Sequence, residues 1–112
     1  MIERLLTQVF ADADSAHRAH LISESYAEHI ALGDFYDAAR EKVDAIIESA
    51  IGLDVPPPSP PDTPILELLE TAYVDLAERR EETCQDASVL QTLYDELLHV
   101  YTTAIFKLKR MK

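Results

Sequence analysis

Apolar positions open the chain at three- and four-residue intervals: Ile2, Leu5, Leu6, Val9, Phe10, Ala13, Ala16 and His20. That spacing turns one helical face toward a core and predicts a helix over about 2–22. Ser23 and Ser25 then offer N-cap hydroxyls. A second stripe follows at His29, Leu32, Tyr36, Ala39, Val43, Ile46 and Ala50, which predicts a helix over about 25–51 closed by Gly52 as its C-terminal cap. At 1.5 Å per residue this helix is roughly 40 Å long.

All six prolines fall between Pro56 and Pro64, in VPPPSPPDTP. Proline donates no backbone hydrogen bond and crowds the preceding turn, so residues 53–63 read as an extended connector. Beyond it, Thr63 is placed to cap and Pro64 to take the first helical position. Leu66, Leu69, Tyr73, Leu76 and Ala77 mark a third helix over about 64–82, and Leu90, Leu93, Leu97, Tyr101, Ala104 and Leu108 a fourth over about 87–109, started by Asp86 or Ser88. Hairpins 2–52 and 64–110 within a single domain, with no strand pattern, predict an all-α protein, an up-and-down four-helix bundle.

Charge narrows the partners. The 112 residues carry 21 acids against 10 Lys and Arg, a formal charge of −11. Removing the four positive charges of the tail (Lys107, Lys109, Arg110, Lys112) takes −11 to −15 for the rest. Such a surface repels nucleic acid and anionic membrane, so binding to neither is expected. The tail itself suits the negative end of the last helix's dipole. No apolar run approaches the roughly 18 residues of a membrane span, and the N-terminus lacks a signal-peptide core. A cytoplasmic protein is the expectation. Cys84 is the single cysteine, so neither an internal disulfide nor a cysteine-based zinc site can form. Nucleophilic chemistry has no support either, because no Gly-rich phosphate loop or Gly-x-Ser-x-Gly elbow occurs.

Three of the four histidines, His17, His20 and His29, lie within thirteen residues around the first hairpin turn. Along one edge of the second helix, Asp37, Glu41, Asp44 and Glu48 step by four, three and four. Imidazole with carboxylate and no thiolate suits iron, manganese or zinc. One chain cannot close such a site, since Asp44 lies fifteen residues or about 22 Å beyond His29 on one helix axis. Two copies with this helix antiparallel can, because each end then meets the partner's opposite end. A two-fold homodimer or larger homo-oligomer is therefore expected. A rival set pairs Glu96 with His99 and Asp14 with His17, the Glu-x-x-His arrangement of bundle di-iron sites.

The segment AHRAHLISESYAEHIALGDFYDAAREKVDAIIES resembles the corresponding helices of Dps-like proteins, the mini-ferritins, and His17, His29, Asp44 and Glu48 reproduce their intervals of 12, 15 and 4. The resemblance implies a ferritin-like fold and an intersubunit site that binds Fe2+ and oxidises it to Fe3+, with other divalent metals as alternatives. A further acidic ligand of that family falls on Gly33. HLISESYAEHIALGDFYD and IFKLKRMK are similar to short phage- and bacterium-encoded ferritin-like proteins, a likeness that makes His20 a rival to His17 and implies a host-cell cytoplasm if phage-encoded. The chain departs from mini-ferritins in its shorter length, its Pro-rich connector and the lack of a lysine-rich N-terminal arm. The alternative function is a non-catalytic oligomeric helical adaptor, since a fold does not fix a function.

Overall fold

The computed structural model describes residues 2–111. These residues are all-helical and hold no strand, with helices α1 (Ile2–Ile22), α2 (Tyr26–Gly52), α3 (Ile65–Glu78), α4 (Arg80–Cys84) and α5 (Ser88–Arg110). Two compact units divide the chain, one up to Pro60 and one from Pro61. Lys112, the last of the basic tail, lies outside the described residues.

The first unit is the α1–α2 hairpin. Ser25 sits at the N-cap of α2 in an extended conformation, and its Oγ accepts the Glu28 N–H at 3.3 Å. Ser23 Oγ in turn accepts the Ser25 N–H at 3.3 Å and tightens the turn. Ala13, Val43 and Ile47 are the buried residues of this hairpin. The expected stripe chose Ile46, yet Ile47 is 7% exposed and Ile46 51%. From Val43 a step of four, closer to a 3.6-residue turn than a step of three, returns to the inner face. Phe10 is likewise half-exposed rather than buried, lying one residue off the inner line through Val9 and Ala13.

The second helix also ends differently from expectation. Gly52 is its last helical residue, Leu53 occupies the cap, and the left-handed conformation falls on Asp54 at φ 67°. Asp is one of the few side chains that tolerates that region. The proline segment then runs back past the start of α1, where the Ser59 N–H donates to Glu3 Oε1 at 2.6 Å. This backbone hydrogen bond holds the Glu3 carboxyl below its ordinary pKa.

In the second unit, the expected third helix is two pieces, which makes five helices in place of four. Arg79, at φ −90° and ψ 0°, interrupts the regular turns between α3 and α4. Beyond the break Cys84 is buried, and Arg80 grips Asp95 of α5 with Nε–Oδ1 at 2.6 Å and Nη2–Oδ2 at 3.0 Å. Pro64, not Thr63, stands at the N-cap of α3, its ψ of 136° continuing the extended connector, and its ring has no acceptor with which to make a side-chain cap bond. Ala87 takes the cap of α5, leaving Asp86 outside and Ser88 as the first helical residue. Gln91 Nε2 instead ties the turn by donating to the Gln85 carbonyl at 2.8 Å.

The inner line of α5 runs through Tyr94, Leu98, Tyr101, Ile105 and Leu108, each at least partly buried. Tyr94 Oη donates to the Leu76 carbonyl at 2.5 Å and fixes α5 on α3. Leu90, Leu93 and Leu97 of the expected stripe are exposed. The apolar arc of α5 spans about half the helix circumference, more than the seam with one neighbour covers. No described helix is long and apolar enough to cross a membrane.

Candidate functional site

The hairpin turn brings the three N-terminal histidines together. His20, in the last turn of α1, and His29, in the first turns of α2, face each other with ring centres 3.6 Å apart and planes 18° from parallel. His20 Nδ1 lies 2.6 Å from the His29 carbonyl oxygen, and His29 Nδ1 lies 2.8 Å from that of His20. A carbonyl only accepts, so each Nδ1 carries the proton. In the neutral ring the lone pair then resides on Nε2.

Local chain chemistry explains why this clasp forms. The last carbonyls of a helix lack intrahelical donors, and His29 supplies one to His20 at the end of α1. On the other side, Gly33 lies one turn after His29, where a side chain would crowd the approach to the His29 carbonyl. A Cβ at Gly33 would stand 3.2 Å from His20 Cε1 and 3.3 Å from its Nδ1. The space that a side chain at position 33 would fill is occupied by the His20 imidazole.

His17 sits beside the clasp. Its ring stacks on Tyr36 with centres 4.1 Å apart and planes 14° from parallel, and meets His20 edge-on at 6.0 Å. The Tyr36 ring is also edge-on to His20 at 5.4 Å and carries the Arg40 guanidinium 5.4 Å from its centre. Tyr36 and Arg40 were not singled out by the sequence as site residues, although their spacing of four aligns them on one helix face.

Asp44 and Glu48 share an exposed edge of α2 one turn apart. The Glu48 pKa is raised, first by a hydrogen bond to Asp44, then by the Asp44 charge and by burial. The cause is the second carboxylate one turn away, with no cation placed to answer the two charges. Among the described residues neither enters an ion pair. Asp37 and Glu41 continue the edge, also exposed. The fifteen-residue interval keeps this pair about 22 Å from the histidines in one helix.

Within the chain, no group of three or more His, Cys, Asp or Glu among the described residues is arranged to hold an ion. In the rival set, Asp14 pairs with Arg18 at 2.9 Å on the exposed face of α1, and exposed His99 sits 3.4 Å from Thr103 Oγ1. At the basic end of α5, Lys109 pairs with Glu70 at 3.1 Å and Arg110 lies over Phe106 at 5.0 Å.

These features define an all-helical protein with a histidine clasp at one hairpin turn and an exposed pair of carboxylates one turn apart on the longer helix. The chain belongs to DUF5856, a family of unknown function whose model matches residues 20–108. No curated protein and no solved structure matches it.

Proposed function

We propose that this chain forms a ferritin-like up-and-down four-helix bundle that pairs as a two-fold homodimer or larger oligomer and binds Fe(II) between copies. His29 with His17 or His20 of one copy and Asp44 with Glu48 of the other supply the donors. The observation that carries the reading is the reciprocal Nδ1 bonding of His20 and His29, which leaves Nε2 of each ring as its unprotonated nitrogen. Imidazoles that bind metals are commonly oriented this way, by a carbonyl on the other nitrogen. Asp44 and Glu48 add hard anionic oxygens that favour Fe(III) over Fe(II). With peroxide as oxidant, two Fe(II) give one electron each, and H2O2 with two protons leaves as two water molecules.

The test compares ferrous oxidation by wild type, His29→Ala and the Asp44→Asn, Glu48→Gln double variant, each checked for assembly by sedimentation. The wild type is expected to exceed the buffer rate and both variants to fall toward it. Three assembled proteins that all oxidise iron at the buffer rate would defeat the reading.

A second reading, an oligomeric helical adaptor without iron chemistry, is favoured by one feature of the hairpin turn. Leu21, Ile22 and Tyr26 are 70%, 82% and 81% exposed. A cluster of apolar side chains at the end of a hairpin suits contact with another protein.

A further inference from the structure

Independently of the metal reading, we propose that the proline segment of residues 56–60 is a docking ridge for a second protein, one that offers an aromatic-lined groove with basic residues at its margin.

Proline fixes φ near −65°, so the run Pro56, Pro57, Pro58, Ser59, Pro60 takes the left-handed polyproline helix, with three residues per turn and about 3.1 Å per residue. Residues three apart then share a ridge. Two of the three ridges lean on the hairpin: Pro58 is partly buried, and Ser59 turns to α1, where its N–H donates to Glu3 Oε1 at 2.6 Å. The third ridge is free. Pro57 and Pro60 stand on it about 9 Å apart, both exposed, with exposed Pro56 beside them.

Such a ridge is what aromatic grooves recognise, because proline rings pack flat on Tyr and Trp and the helix needs no ordering at the moment of contact. The Glu3 tether lowers that cost further, since it holds the segment against α1 before any partner arrives. A second observation points the same way: among the described residues no hydrogen bond engages the carbonyls of residues 55–60. These carbonyls are free to accept from Tyr Oη or Trp Nε1 of a groove. Charge selects among grooves. Asp54 and Asp62 flank the prolines, and no Lys or Arg occurs between Lys42 and Arg79, so a basic margin is favoured and an acidic one repelled.

The chain contains no tryptophan, so groove tryptophan fluorescence reports binding without background. The experiment titrates the full chain into purified SH3, WW and EVH1 domains chosen for basic groove margins. At least one should bind with a dissociation constant of about 100 μM or tighter, and a proline decapeptide should displace the chain from it. The Pro57→Ala, Pro60→Ala double variant, with helicity checked by circular dichroism, should bind about tenfold or more weakly. Glu3→Ala keeps the ridge and frees the tether, and should weaken binding severalfold. No response from any of the domains at about 1 mM chain would leave the segment a spacer and overturn the proposal. A response that the double variant retains in full would place the contact elsewhere and overturn it too. Neither result bears on iron binding.

Discussion

The imidazoles of His20 and His29 are stacked 3.6 Å apart, and each gives its Nδ1 proton to the other residue's backbone carbonyl. Two side chains nine residues apart thereby cap the end of α1 and lock the start of α2 in one unit. The arrangement tolerates little at its edge, because Gly33 and the His20 ring share one space.

The two glycines should therefore answer oppositely to alanine. A helical Gly→Ala change in open space gains about 0.5–1 kcal/mol from the lower entropy of the unfolded chain. Gly52 has nothing within 4 Å of a built Cβ and no positive φ, so Gly52→Ala should stabilise the protein by up to that amount. At Gly33 the same gain is outweighed by overpacking, about 1–3 kcal/mol, and by a strained hydrogen bond worth about 1 kcal/mol. Gly33→Ala should lose about 1–3 kcal/mol net in urea unfolding; equal gains at both sites would show that the notch is not filled.

The cap of α2 makes a simpler case. Ser25 Oγ accepts the Glu28 N–H at 3.3 Å, satisfying one of the donors left open at a helix start. Ser25→Ala should cost about 1 kcal/mol in the same unfolding measurement, and Ser25→Asp should restore most of it. An unchanged midpoint in Ser25→Ala would mean that the turn, not the side chain, sets the start of this helix.

Ser25, the length of α2 and the clustering of the histidines were legible because each depends on residues within one or two turns. The confined prolines marked the connector for the same reason. The side chosen for the core was harder where the pattern offered two apolar candidates. Ile46 and Ile47, or Leu93 and Tyr94, fit equally well until a neighbouring helix selects one. The break at Arg79 carries no Gly or Pro, and it accompanies a bond from Arg80 to Asp95 fifteen residues away. Within the site, spacing placed His29 and the Asp44–Glu48 pair on one helix. The clasp was not visible, since it joins a ring to a backbone carbonyl across the hairpin turn.

Arg80 and Asp95 give the second unit a pH signature. The guanidinium hydrogen bond holds the Asp95 carboxyl below its ordinary range, with the Arg80 charge adding to it and burial opposing. A folded pKa lower than the unfolded one means stability that is present above the ordinary carboxylate value of about 4 and lost as pH falls through the folded value. Asp95→Asn should unfold at lower urea than wild type near neutrality, and the two should converge in strong acid. Arg80→Lys should recover only part of the difference, because an ammonium cannot span both carboxylate oxygens. A gap between Asp95→Asn and wild type that persists undiminished in acid would assign the effect to packing.

Glu48 carries the opposite sign. Its pKa is raised, chiefly by the hydrogen bond to Asp44 and then by the Asp44 charge, so the folded chain binds this proton more tightly than the unfolded one. That contribution is fully present below the unfolded glutamate value of about 4.3 and is lost as pH rises through the folded value. Near neutrality and without metal, the ionised pair repels. Glu48→Gln keeps a hydrogen-bonding group beside Asp44 and removes one charge, so it should melt higher than wild type in chelator-treated buffer near pH 7 and match it in acid. A divalent cation reverses the comparison, because it relieves that repulsion and needs both charges. On adding Zn(II), the wild-type midpoint should rise more than that of Glu48→Gln. If Glu48→Gln melts lower than wild type in chelator at neutral pH, the carboxyls are not in repulsion; if Zn(II) lifts both proteins equally, the cation is not held by this pair.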